Sequence, residues 1–186
     1  MFNLKPISHD AVPRALARAE RYRLLNEPRE AESICRDVLA VDPANQEALV
    51  FLILALTDLF SDVGSVAGAT TPRPEDLRPL VAALTGQFEK LYYAGVIEER
   101  WAKALLESGY PHEMVLKHLL AAMSSFEAAE PLAPSTNDDP ILRYNACVRA
   151  IEAHGVQLAT GRGTPAPQAP SPAEEVENFD DDVPVR

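Results

Sequence analysis

The chain has 186 residues, of which 47% are hydrophobic, and this is enough for one sizeable core. Its net charge of −11 repels phosphate backbones, which argues against a nucleic-acid-binding protein. The most apolar run, residues 50–56, is shorter than the roughly 20 residues of a membrane span. Residues 1–14 contain no apolar signal-peptide core, so we expect a cytoplasmic protein with no membrane partner. Arginine outnumbers lysine 13 to 4, which suggests a bacterial origin from a GC-rich genome.

Apolar spacing predicts helices along the first part of the chain. Ala11 to Tyr22 carry one helical face, and Pro28 is suited to the first turn of a second helix that runs to about Val41. Asn45 is positioned to cap a third, largely apolar helix. Residues 61–74 are rich in small and breaking residues and predict a long loop.

The second part of the chain is also predicted to be helical. A helical pattern runs from Pro74 to Leu106, with Gly95 as the candidate break inside it. Two further helices are expected at about residues 112–130 and 140–154. Sustained strand alternation is absent from the sequence, which therefore predicts an all-α fold.

From about residue 157 the composition changes. Residues 157–186 are rich in proline, alanine and acids, and predict a disordered acidic tail after a helical domain of residues 1–156. Val176, Phe179 and Val183 are spaced among six acids in this tail. The tail is either a solubilising segment or an element that docks onto a basic or apolar surface.

Two segments share one pattern with identical offsets of four, seven and twelve residues. The first copy is Ala31, Cys35, Val38 and Pro43, and the second is Ala122, Phe126, Ala129 and Pro134. This spacing, with Ala19 and Tyr22 in the preceding helix, resembles the tetratricopeptide repeat (TPR). The resemblance implies a right-handed helical solenoid of about three helix pairs with a C-terminal capping helix.

The resemblance also implies a mode of binding. Members of the family mostly bind proteins or peptides in a concave groove, which is lined by the front helix of each pair. The groove positions in this chain would be Leu16, Glu20, Arg23, Val50, Leu54 and Asp58. One subgroup of the family grips acidic C-termini with Lys and Asn side chains. The matching positions here are Leu16, Glu20 and Phe51, which cannot form that clamp.

The sequence offers no catalytic or metal-binding set. His112-Glu113 lacks the second histidine of a zinc protease motif, because Leu116 stands in its place. Cys35 and Cys147 lie in apolar helical patterns, which predicts a structural role. Arg143, with Asn145 and Arg149, either holds an anionic group or forms a solvated face, and the solvated face is favoured.

These patterns predict a protein that is not an enzyme and needs no cofactor or metal. The leading hypothesis is a scaffold or adaptor that binds a protein or peptide partner through the groove. The alternative is a small acidic chaperone dedicated to one client, because the chain resembles secretion chaperones in size and charge.

Overall fold

The computed structural model describes residues 2–63 and 71–154, and within these ranges the regular structure is entirely helical, with no strand. The α-helices are α1 (Val12–Leu24), α2 (Pro28–Val41), α3 (Gln46–Asp58), α4 (Pro74–Ala83), α5 (Gln87–Glu107), α6 (His112–Ala129) and α7 (Asp139–Ala153). Short 3-10 turns precede α1 and follow α3 and α6. The predicted tail, residues 157–186, and residues 64–70 of the predicted loop lie outside the described residues.

Local signals set several of the helix ends where the sequence places them. Pro28 opens α2, and α2 ends at Val41 immediately before Asp42-Pro43, because a residue before proline avoids the helical conformation. The side-chain oxygen of Asn45 accepts a hydrogen bond from the backbone N–H of Ala48 at 2.9 Å and caps α3. Gly109 has a φ of 74°, which suits the turn between α5 and α6.

Each helix packs against the next one along the chain, and α3 also contacts α1 and α5. One core cluster lies among α1, α2 and α3 and includes Leu77 and Leu84 from the α4 region. A second cluster lies among α5, α6 and α7 around Phe126. Tyr93 and Trp101 of α5 are partly buried and pack against both clusters, so these aromatic side chains join the two parts of the core.

The predicted break at Gly95 is wrong. The chain leaves the helical conformation at Leu84 and Gly86, whose ψ angles are 145° and 135°, and Gly95 lies inside α5. A Cβ added at Gly95 would lie 2.6 Å from Cε1 of Phe126. The glycine therefore allows α6 to approach α5 closely. Leu84 is buried and continues the apolar pattern, so the periodicity did not reveal the true break.

Both cysteines are fully buried and free. Burial raises the pKa of the Cys35 thiol to about 11, partly offset by Arg23. Burial, together with the charge of Glu99, raises the pKa of Cys147 to about 12. These thiols are protonated near neutral pH and pack as small apolar groups.

Gly95→Ala should lower the free energy of unfolding by about 1–3 kcal/mol through overpacking, although alanine is the better helix former by roughly 0.5–1 kcal/mol. Phe126 is only 1% exposed and has little room to move away. Urea denaturation measures the change. Adding Phe126→Leu should restore part of the loss, so that the two substitutions are not additive. An unchanged midpoint for Gly95→Ala would contradict the close contact.

The native protein should react very slowly with a thiol reagent at about pH 8, and both cysteines should react once it is unfolded. Because the folded pKa values of about 11 and about 12 exceed the usual value of 9.0, the stabilisation that comes from keeping both thiols protonated is complete below about pH 9. It is lost as the pH rises through 11 for Cys35 and through 12 for Cys147. Mass spectrometry of alkylated protein, with and without denaturant, measures the first effect. Rapid labelling of the folded protein would show that a thiol is accessible.

Candidate functional site

Charged side chains join α1, α3 and α5 along one face of the molecule. Nε of Arg23 donates a hydrogen bond to Oδ2 of Asp58 at 2.8 Å. Nη1 of Arg100 donates to the other carboxylate oxygen of Asp58 and to Oγ1 of Thr57, the latter at 2.9 Å. Asp58 is therefore shared by two guanidinium groups that come from different helices.

A second set of charges joins α5 to α7. Glu99 is only 1% exposed, and its carboxylate accepts hydrogen bonds from Nζ of Lys103 at 2.5 Å and from Nη1 of Arg143 at 2.9 Å. Nε of Arg143 also donates to the hydroxyl of Tyr92 at 3.3 Å. A buried carboxylate is tolerated only when it is paired in this way.

These two sets form what we call the charged ladder, which connects α1, α3, α5 and α7. Its members are Arg23, Asp58, Arg100, Glu99, Lys103 and Arg143. Four of them are cations and two are carboxylates, so the charged ladder carries an excess of positive charge. We call the face on which it lies the front face.

The cations of the charged ladder affect one another. Burial lowers the pKa of Arg100, and the charges of Arg143 and Arg23 lower it further against the opposing effect of Asp58. Burial also disfavours the charged form of Arg143, but the hydrogen bond and charge of Glu99 outweigh it and raise the pKa of that guanidinium. The guanidinium groups of Arg100 and Arg143 remain charged near neutral pH, because arginine is effectively always protonated.

Each arginine of the charged ladder uses only some of its guanidinium nitrogens in hydrogen bonds to described residues. The hydrogen bonds to described residues use Nε of Arg23, Nη1 of Arg100, and Nε and Nη1 of Arg143. In the described part of the chain, no side-chain nitrogen or oxygen is both buried and without a partner. Any nitrogen of these guanidinium groups that has no hydrogen-bond partner is therefore not buried, and it can donate a hydrogen bond to an anion.

The structure brings together some of the six groove residues that the sequence predicts. Arg23 and Asp58 meet in the charged ladder. Val50 and Leu54 are half-buried and share one stripe of α3 with Asp58, because residues four apart lie on the same helix face. Glu20 is exposed on α1, three residues before Arg23. Leu16 is only 4% exposed and packs in the core, so it offers little surface to a partner.

Sequence reasoning missed Glu99 and Arg100 entirely. The sequence did contain one signal of a buried charge: Glu99 lies three residues from both Val96 and Ala102, which are apolar and buried. The solvated face predicted around Arg143 is wrong for this residue, whose side chain is 30% exposed and paired with Glu99. The pairing joins residues 44 positions apart, so local spacing could not reveal it.

A cleft of about 470 Å³ adjoins the charged ladder at Asp58. It lies between the turn that joins α1 to α2 and the end of α3, and the pair of Arg29 and Asp62 at 3.1 Å forms part of its lining. Asn26, which also lines it, has a φ of 59°, in the left-handed region that asparagine tolerates better than most residues. Acids predominate in the cleft, which makes it a poor site for an anion.

Residues 2–63 and 71–154 contain no group of three or more His, Cys, Asp or Glu side chains that could hold a metal ion. Across the same residues, no helix has both the length and the apolar character that crossing a bilayer requires.

No protein-family model matches the chain, and neither the curated proteins nor the solved structures contain a match to it.

Arg143→Ala should lower the free energy of unfolding by about 2 kcal/mol, because Glu99 would remain buried and Lys103 would be its only cationic partner among the described residues. Arg149→Ala on the same helix is the matched control, and as an exposed side chain it should change stability by less than about 0.5 kcal/mol. Chemical denaturation of both variants measures the difference. Equal effects would show that the pair with Glu99 contributes nothing.

Proposed function

We propose that this protein is an adaptor that binds a protein or peptide partner on its front face. The observation that supports this most directly is the charged ladder, which runs across α1, α3, α5 and α7 beside the half-buried Val50 and Leu54. Fixed charged donors next to apolar surface suit recognition of a peptide segment. The proposed adaptor performs no catalysis and needs no metal or cofactor.

The proposal includes a TPR-like solenoid in which the front face is the concave side. Two observations support it. The contacts of α3 with α1 and of α5 with α3 are those expected when successive front helices lie side by side. The apolar members of both sequence copies are also buried, namely Ala31, Cys35, Val38, Ala122, Phe126 and Ala129.

Substitution of Val50 by lysine tests the front face. Val50→Lys should abolish capture of partners from a native lysate, because it puts a charge into the apolar part of the proposed surface. The matched control is Leu120→Lys, an equivalent change at an exposed apolar position on α6. Affinity capture with quantitative mass spectrometry compares both variants with the unmodified protein, and circular dichroism checks that they are folded.

Retention of all partners by a folded Val50→Lys variant would contradict the proposal. Loss of partners through Leu120→Lys alone would move binding to the exposed apolar surface of α6. That result would favour the second candidate, a client-specific chaperone, which is supported by exposed apolar side chains on α6 and α7 at Met114, Leu120, Ile141 and Leu142. A chaperone should also suppress aggregation of the captured protein, and light scattering measures this directly.

A further inference from the structure

The charged ladder is a local excess of positive charge in a strongly acidic chain. Its four cations share two carboxylates, while the whole chain has a net charge of −11. Acids also border this face. Glu20 is exposed on α1, three residues before Arg23. An anionic ligand would therefore be attracted to the arginines of the charged ladder rather than to the acidic surface around them.

The chain itself contains a segment with the complementary chemistry. Residues 174–183 include six acids and no cation. Val176, Phe179 and Val183 are three and four residues apart, which is the spacing of one apolar helix face. Such a segment can offer carboxylates to arginines and apolar anchors to a half-buried surface.

We propose that residues 174–183 bind in cis to the front face, with their carboxylates on Arg23, Arg100 and Arg143 and their apolar residues against Val50 and Leu54. This contact uses the same surface as the proposed adaptor function. The contact itself does not depend on that function, but its role rests on it: in an adaptor, the bound segment acts as an internal ligand that an external partner must displace.

The chain is long enough for this contact. α7 supplies Arg143 and also leads directly to the C-terminal segment, and the distance along the helix from Arg143 to His154 is about 16 Å. Residues 155–173 separate the helix from the acidic segment, and a chain of that length can extend to roughly 60 Å, which is enough to return to the front face. Tethering over this distance gives a local concentration in the millimolar range, which favours binding in cis.

Energy transfer from tryptophan to a dye measures the contact in the full chain. Trp101 on α5 is the only tryptophan and serves as the donor. Asn178→Cys introduces a labelling site for an acceptor dye, and the two native thiols are buried and should not compete for the label. We expect strong transfer at low salt and about a twofold or greater decrease in about 1 M salt, where ionic interactions are screened beyond about 3 Å.

Substitutions on both sides of the contact test its specificity. Arg23→Gln with Arg143→Gln should decrease transfer as salt does, whereas Arg18→Gln with Arg149→Gln, at exposed positions on the same two helices, should not. Replacement of the six acids by their amides should have the same effect as the first pair, without altering any residue of the helical body. Circular dichroism confirms that each variant is folded.

Transfer that is insensitive to salt, to the acid replacements and to the arginine substitutions would overturn the proposal. Transfer that increases with protein concentration would also overturn it, because the segment would then bind a second copy. Capture of partners by the variants Val50→Lys and Leu120→Lys is measured separately. Loss of the adaptor function would appear in the capture experiment, and loss of the internal contact would appear in the energy transfer. The two failures are therefore distinguishable.

Discussion

The buried carboxylate of Glu99 is the constraint on which the arrangement of α5 depends. A carboxylate that is 1% exposed requires cationic partners, and Lys103 and Arg143 supply them from α5 and α7. Arg100, the next residue, points towards α3 and Asp58. Two consecutive residues thus connect α5 to a helix on either side, so a rotation of α5 about its axis would break both sets of hydrogen bonds.

Close packing of α5 on α6 complements these polar contacts. Gly95 leaves room for the ring of Phe126, which also contacts Tyr92 with ring centroids 5.9 Å apart. Tyr92 in turn accepts a hydrogen bond from Arg143. The apolar contact and the charged ladder therefore meet at one aromatic residue. Packing and polar pairing support a single position of α5 because each fixes the same side chain.

The functional proposals depend on the guanidinium nitrogens that do not take part in the ion pairs of the charged ladder. Asp58 and Glu99 hold the arginines in place, so their remaining donors are oriented before any ligand arrives, and little side-chain entropy is left to lose on binding. A partner with acidic and apolar side chains would suit this surface. The acidic residues 174–183 have the same chemistry and would compete with it, which gives a reason for combining such a segment with such a face in one chain.

Local sequence signals are sufficient to specify the helical class, the ends of most helices and the repeated buried positions. Pro28, Asn45 and Gly109 act on their own backbone, and apolar spacing reports the buried side of each helix without knowledge of its neighbour. The tertiary structure alone decided the role of Gly95 and the partners of Glu99, Arg100 and Arg143. A glycine within a helical pattern gives the same sequence signal whether it ends the helix or leaves room for an aromatic ring of a neighbouring helix. An ion pair between residues 44 positions apart depends on which helices become neighbours.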